Sequence, residues 1–105
     1  MRTKSAPYKN ISPPIIVTSP WRIKKVKSLP DYTLEVQFID GTLGTIFMKK
    51  LIFSPKAGVF AALKDPAIFN QVHIEYGATT WPGEIDLAPD AMYEEIKKKG
   101  IWVLT

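Results

Sequence analysis

The stretch from Tyr32 to Phe47 constrains the fold more than any other part of the chain. Tyr32, Leu34, Val36 and Phe38 alternate with Thr33, Glu35 and Gln37, which is the period-two pattern of a strand buried on one face. Asp40-Gly41 follows, a dipeptide that tolerates positive φ at both centres of a type I′ turn. With those two residues as the turn, Phe38 faces Leu43, Val36 faces Thr45 and Leu34 faces Phe47, so the apolar residues of both strands share one side. The other side then mixes Thr33, Glu35, Gln37 and Thr42 with Ile39, Ile46 and Met48, which calls for partial cover by a helix or a partner.

Upstream, Trp21 to Ser28 reads as a first strand whose apolar residues Trp21, Ile23 and Val26 change spacing from two to three. A bulge near Lys24-Lys25 reconciles the change, and lysines suit an edge that must not recruit another chain. Leu29-Pro30-Asp31 is the turn into the central hairpin, with Pro30 pre-set for a type I position. Downstream, Ser54-Pro55 reads as N-cap and first-turn proline of a short helix carrying Phe60 and Leu63, although Gly58 costs it about 1 kcal/mol. Asp65-Pro66 repeats the device and opens a single turn through Phe69.

Gln71 to Tyr76 alternates again, with Val72, Ile74 and Tyr76 on one face. A Gly77-Ala78 turn would pair Ile74 with Trp81, and Trp81-Pro82-Gly83 ends that strand because proline donates no ladder bond. A closing helix from Pro89 to Lys99 has acids early, three lysines late and Gly100 after it, with Met92, Tyr93 and Ile96 as its packing stripe. Ile101 to Leu104 docks or pairs as a last short strand. The expected fold is α+β: a small antiparallel sheet, made of a three-stranded meander plus a second hairpin, with a short middle helix and a C-terminal helix.

Pro7, Pro13, Pro14 and Pro20 fall within the first twenty residues, which predicts an extended Pro-rich basic arm over 1–20 and one domain over 21–105. Within the arm, Ile15-Ile16-Val17 could add an edge strand or dock on a neighbour. A 105-residue chain buries roughly 60 to 70% of its unfolded surface, enough for one core. The absence of cysteine excludes disulfides, thiolate catalysis and cysteine-based metal sites, and makes the cytoplasm the natural compartment. No apolar run approaches the ~20 residues of a membrane helix, so the chain reads as soluble and untargeted, with no membrane partner.

The formal charge of +4 is unevenly spread. Residues 1 to 30 carry Arg2, Lys4, Lys9, Arg22, Lys24, Lys25 and Lys27 and no acid, whereas the remainder carries seven lysines against ten acids. The basic character belongs to the arm and first strand rather than to a folded groove. Arg22, Lys24, Lys25 and Lys27, beside Trp21, are candidate phosphate contacts, set against the plainer reading of a solvated edge strand.

Chemistry-bearing residues are few. His73 is the sole imidazole, so no paired-histidine metal site can form; Glu75 is placed to orient it, and the plainer reading is a surface histidine. Glu84 and Asp86 flank Ile85 and could divide acid and base roles, but Asp86 is also placed to cap the closing helix. Trp81 is either a binding anchor or a core residue; Trp21 and Trp102 are less constrained and make better interface candidates. No phosphate loop or nucleophile elbow is present. The expectation is a non-catalytic chain without a cofactor.

The order Tyr32-x-Leu34-x-Val36-x-Phe38-x-Asp40-Gly41, then Phe60-x-x-Leu63-x-Asp65, Phe69-x-x-Val72, Gly77, Trp81-Pro82 and Ile85-Asp86-Leu87 resembles the small prokaryotic family named domain of unknown function 2442. The resemblance covers roughly Trp21 to Tyr93. It implies a small α+β fold on an antiparallel sheet. Some relatives continue into a helix-turn-helix domain, while others are single domains encoded beside another small protein in a toxin–antitoxin-like pair. Eighteen residues follow Leu87, so the expectation is a single domain without the DNA-binding extension. The expected role is a protein-binding module engaging another small protein, through residues drawn from Trp21, His73, Trp81, Glu84, Asp86 and Trp102. A homodimer through edge strands stays open, and the alternative is a nucleic-acid-associated regulator using the basic arm and first strand.

Overall fold

The computed structural model describes residues 19–105. The arm expected over residues 1–20, with its Ile15-Ile16-Val17 segment, lies almost wholly outside the described residues. From Ile23 the chain forms the expected meander of antiparallel strands β1 (Ile23–Leu29), β2 (Thr33–Phe38) and β3 (Leu43–Phe47). The bulge is present: Ile23 pairs with Phe38 and Lys25 with Gln37, leaving Lys24 as the extra residue. Ile23 and Val26 thereby both join the side of Phe38 and Val36 despite their spacing of three.

The β2–β3 register differs by one residue from the expected pairing. Gly41 sits at φ +92; its amide donates to the Phe38 carbonyl at 2.9 Å, and the Phe38 amide donates to the Thr42 carbonyl at 2.8 Å. Ile39 and Asp40 are therefore the turn centres, and Gly41 is an added left-handed residue in a three-residue loop. Leu34 consequently pairs with Ile46 and Val36 with Gly44. A slip of one residue turns a whole strand over. Ile46 and Met48 are fully buried, whereas Leu43 and Phe47 are 66% and 41% exposed, which corrects the assignment of Leu43 and Phe47 to the core face.

Tyr32 is also outside β2. It closes the β1–β2 loop in left-handed backbone at φ 57, next to Asp31 at φ 64, a strain of order 1–3 kcal/mol per residue. Its contacts hold it there: the hydroxyl donates to the Lys64 carbonyl at 2.6 Å, and the ring stands edge-on to Phe53 and Phe69. Directly after Met48 comes a short helix, α1 (Lys49–Ile52), which the alternation does not announce. Ser54 does cap locally, accepting from the Lys56 amide at 2.9 Å. The expected middle helix is instead a 3-10 helix over Gly58–Lys64, and Gly58 opens it in left-handed backbone at φ +56. Asp65 then caps α2 (Pro66–Phe69) as expected, accepting from the Ala67 amide at 2.9 Å.

The second hairpin joins β4 (His73–Glu75) to β5 (Ala78–Trp81). Its turn residues are Tyr76 and Gly77, both left-handed at φ 51 and 77, so Ile74 pairs with Thr79 rather than with Trp81. Tyr76 lies at the tip, 93% exposed, instead of on a strand face. A short β6 (Ile85–Asp86) adds to β5. The closing helix α3 (Pro89–Lys99) ends at Gly100 in left-handed backbone, and β7 (Ile101–Val103) pairs parallel to β3. The result is the expected α+β fold, in two sheets ordered β1-β2-β3-β7 and β4-β5-β6, antiparallel except at β7. Among the described residues no helix is long and apolar enough to cross a membrane.

The core fills the space between the inner face of the four-stranded sheet, α3 and the helical segments, with Leu34, Phe38, Ile46, Leu63, Trp81 and Met92 at 1% exposure or less. Gly44 allows α3 to approach: a Cβ at that position would lie 2.5 Å from Cγ2 of Ile96. The Tyr93 hydroxyl ties α3 to the β2–β3 loop by donating to Asp40 Oδ2 at 2.6 Å. That bond, with the Thr42 amide, lowers the Asp40 pKa from 3.8 to about 2. A depressed carboxyl contributes stability that is present above 3.8 and lost as pH falls through about 2.

One buried group is unpaired. Thr79 is fully buried, and its Oγ1 has no hydrogen-bond partner among the described residues. An unmade bond of this kind costs about 1–3 kcal/mol. Thr79→Val, which keeps the shape and removes the hydroxyl, is expected to raise the urea midpoint without changing the denaturant slope; a lowered midpoint would show that the hydroxyl is satisfied in solution.

Candidate functional site

Strand register lays out the outer face of the four-stranded sheet in three rows. Lys25, Gln37 and Leu43 form one; Lys27, Glu35, Thr45 and Ile101 the next; Leu29, Thr33, Phe47 and Val103 the third. The β1 and β2 side of this face is therefore mostly polar and charged, and the β3 and β7 side is apolar. Leu43, Phe47, Ile101 and Val103 are all 40% exposed or more, while α3 packs on the opposite, inner face through Ile96.

At the β1 edge the three-stranded sheet abuts this face. The Ile23 amide donates to the Gly77 carbonyl at 2.8 Å, and the Arg22 side chain lies across Gly77. Beyond that tie the two sheets enclose a cleft of about 480 Å³, with Lys25, Lys27, Glu35, Gln37 and Leu43 along the four-stranded sheet and Val72, His73 and Ile74 of the β4 segment along the other wall. This volume is in the range of small-ligand and peptide-side-chain pockets. Lys25 and Lys27 have no ion-pair partner among the described residues.

His73 is held by acceptors on both ring nitrogens. Nδ1 lies 3.0 Å from the Gln71 carbonyl and Nε2 lies 2.7 Å from Glu75 Oε2. Two acceptors favour the doubly protonated ring, so the Gln71 carbonyl first and the Glu75 carboxylate second raise the His73 pKa above 6.5. The folded state then holds this proton more tightly than the unfolded chain. The resulting stability is fully present below 6.5 and is lost as pH rises through the raised value. Glu75→Gln is expected to bring the imidazole titration midpoint, followed by NMR, down toward 6.5; an unmoved midpoint would show that Glu75 does not hold the ring.

The structure brings together residues singled out for different reasons, His73 on one side and Lys25 and Lys27 on the other, and separates the rest. Lys24 is the bulged residue and Arg22 covers Gly77, so the four basic positions do not form one stripe. Trp81 is 1% exposed, its Nε1 donating to the Phe69 carbonyl at 3.0 Å, which places it in the core. Trp21 is 40% exposed; Trp102 pairs with Ile46 and packs partly buried against the core. Glu84 stands in the β5–β6 turn at φ 62.

Asp86 does not cap α3. The N-cap is Ala88, without a side-chain bond, because Asp86 is committed to the β5–β6 ladder opposite Thr80. Thr80 also pairs with His73, so His73 and Asp86 lie two strand spacings apart, about 10 Å, beyond direct proton transfer. Among the described residues no three His, Cys, Asp or Glu side chains cluster as a metal site.

The sequence matches the family described as "Protein of unknown function (DUF2442)" over residues 23–98. The chain belongs to that family. No curated protein and no solved structure matches it. The DUF2442 match spans both walls of the cleft as well as Leu43 and Phe47, while Trp21, Arg22 and the whole of β7 lie outside it. Sequence reasoning missed the apolar band on β3 and β7, which the one-residue register error had turned inward. The alternation of Ile101 and Val103 around Trp102 is the signal that points to it.

Proposed function

We propose that the chain is a non-catalytic protein-binding module that engages another small protein through the outer face of its four-stranded sheet. The observation that carries this reading is the apolar band of Leu43, Phe47, Ile101 and Val103 on a sheet face opposite the one α3 covers. Side chains of this kind, gathered in one patch and bordered by Lys25, Lys27 and Glu35, have the apolar-centre, polar-rim layout of an interface. β7 is also the edge of the sheet, which adds unpaired backbone groups to the surface on offer. In this reading the partner is a small protein, as in the toxin–antitoxin-like pairs that the family resemblance implies.

The test is capture of a stoichiometric partner by tagged full-length protein from lysate of its own cells, at low and high salt. Binding led by apolar contact survives high salt. The pair Phe47→Asp and Val103→Asp is expected to abolish capture while leaving the thermal midpoint within a few degrees, since both residues are already half exposed. Capture that persists in the pair would move the interface elsewhere, and sedimentation of the purified protein distinguishes a second copy of the chain from a different partner.

A further inference from the structure

The cleft between the two sheets sets a free strand edge opposite two lysines. β4 has β5 on one edge only, and the segment Val72, His73 and Ile74 lines the cleft. Glu75 and Ala78 flank a two-residue turn, so they form a hydrogen-bonded pair and His73 with Thr80 forms the next one. Ile74, between them, turns its amide and carbonyl to the free edge. Facing that edge across the cleft are Lys25 and Lys27, neither ion-paired among the described residues.

We propose that the cleft binds an extended acidic segment of the partner protein, which adds as a strand to the free edge of β4 and sets carboxylates against Lys25 and Lys27. This rests on the protein-binding reading and names the chemistry of the partner that enters beside the apolar band. Strand addition supplies main-chain bonds from Ile74, and alternate side chains of the segment supply specificity. One set meets the ammonium groups of Lys25 and Lys27. The other set packs on Val72 of the opposite wall. Glu35 lies between the lysine and apolar positions, so a segment carrying lysine or arginine meets one carboxylate and two ammonium groups.

The experiment is an amide NMR titration of full-length protein with a blocked synthetic peptide of about six residues alternating glutamate and valine, the length of an ordinary strand. Glutamine and lysine versions of the peptide serve as comparators. The expected result is saturable shifts at Lys25, Lys27, His73 and Ile74 that weaken in about 0.5 M salt. The glutamine and lysine peptides should bind at least severalfold more weakly. Lys25→Glu with Lys27→Glu should cost about tenfold in affinity and leave the remaining spectrum folded.

Equal binding of the glutamine peptide overturns the acidic preference. Shifts confined to Phe47 and Val103, or none at millimolar peptide, overturn the site. Tighter saturation of the same amides by decanoate or by a single-stranded oligonucleotide reassigns the cleft to a small amphiphile or to nucleic acid and overturns the peptide proposal. If the peptide fails while capture through Phe47 and Val103 stands, only this inference falls. If capture fails and the peptide binds, the apolar-band interface falls and the cleft remains.

Discussion

Trp81→Ala is expected to destabilise the protein by about 3–5 kcal/mol, a large part of the ~5–15 kcal/mol that holds an ordinary domain folded. The ring is 1% exposed and sits beside Phe69, 6.0 Å between centroids, so truncation removes apolar burial and leaves a cavity that the surrounding strands and helices cannot collapse into. It also removes the Nε1 donor to the Phe69 carbonyl. Trp81→Phe separates the two effects: most of the packing is kept, and the carbonyl is left without its partner at a cost of about 1–3 kcal/mol. Urea denaturation measures both. A loss below about 1 kcal/mol for the alanine variant would show that the second sheet contributes little to the core.

Gly44→Val is expected to be comparably damaging for the opposite reason. Gly44 lies on the inner face of β3 opposite Val36, where a Cβ would meet Cγ2, Cδ1 and Cγ1 of Ile96 at 2.5 to 2.8 Å. Ile96 is itself 2% exposed and packed within the core, so Ile96 or α3 must shift. Gly44→Ala should cost about 1–3 kcal/mol by overpacking, roughly 4–8 °C in Tm per kcal/mol for a chain of this size, and valine more. The diagnostic is non-additivity: Ile96→Ala relieves the clash, so the Gly44→Ala, Ile96→Ala pair should lose less than the two single losses together. Strict additivity would mean that the two elements do not touch in solution.

Local signals in the sequence were reliable where one short stretch decides the outcome. The bulge at Lys24, the Asp65-Pro66 cap, the span of α3 and its stop at Gly100 all follow from neighbouring residues. Register did not follow, because Asp40-Gly41 serves equally as both centres of a two-residue turn or as the last two residues of a three-residue loop. Only the burial of Ile46 and Met48 against α3 and the helical segments chooses between them. Similarly, Tyr76 gives no sign in sequence of left-handed backbone, yet it takes the turn position beside Gly77, and that moves Ile74 away from Trp81.

The same distinction holds for the candidate site. Lys25, Lys27 and His73 could each be named from type and spacing, but they belong to different sheets. What joins them is the docking of the β4–β5 turn on Ile23, a contact between residues far apart in the chain. The apolar band was hidden for a related reason. Two of its members, Leu43 and Phe47, change faces with the register, and the other two depend on the parallel pairing of β7 with β3, which no local pattern announces.

The most direct test of the outer sheet face as the partner's seat is site-specific photo-cross-linking in the native cell, with a photoreactive side chain placed singly at Phe47, at Val103 and at the exposed Lys98 of α3. A single small protein cross-linked from positions 47 and 103, and not from 98, is the expected result. Cross-links from position 98 alone, or the same mixture from all three, would contradict it.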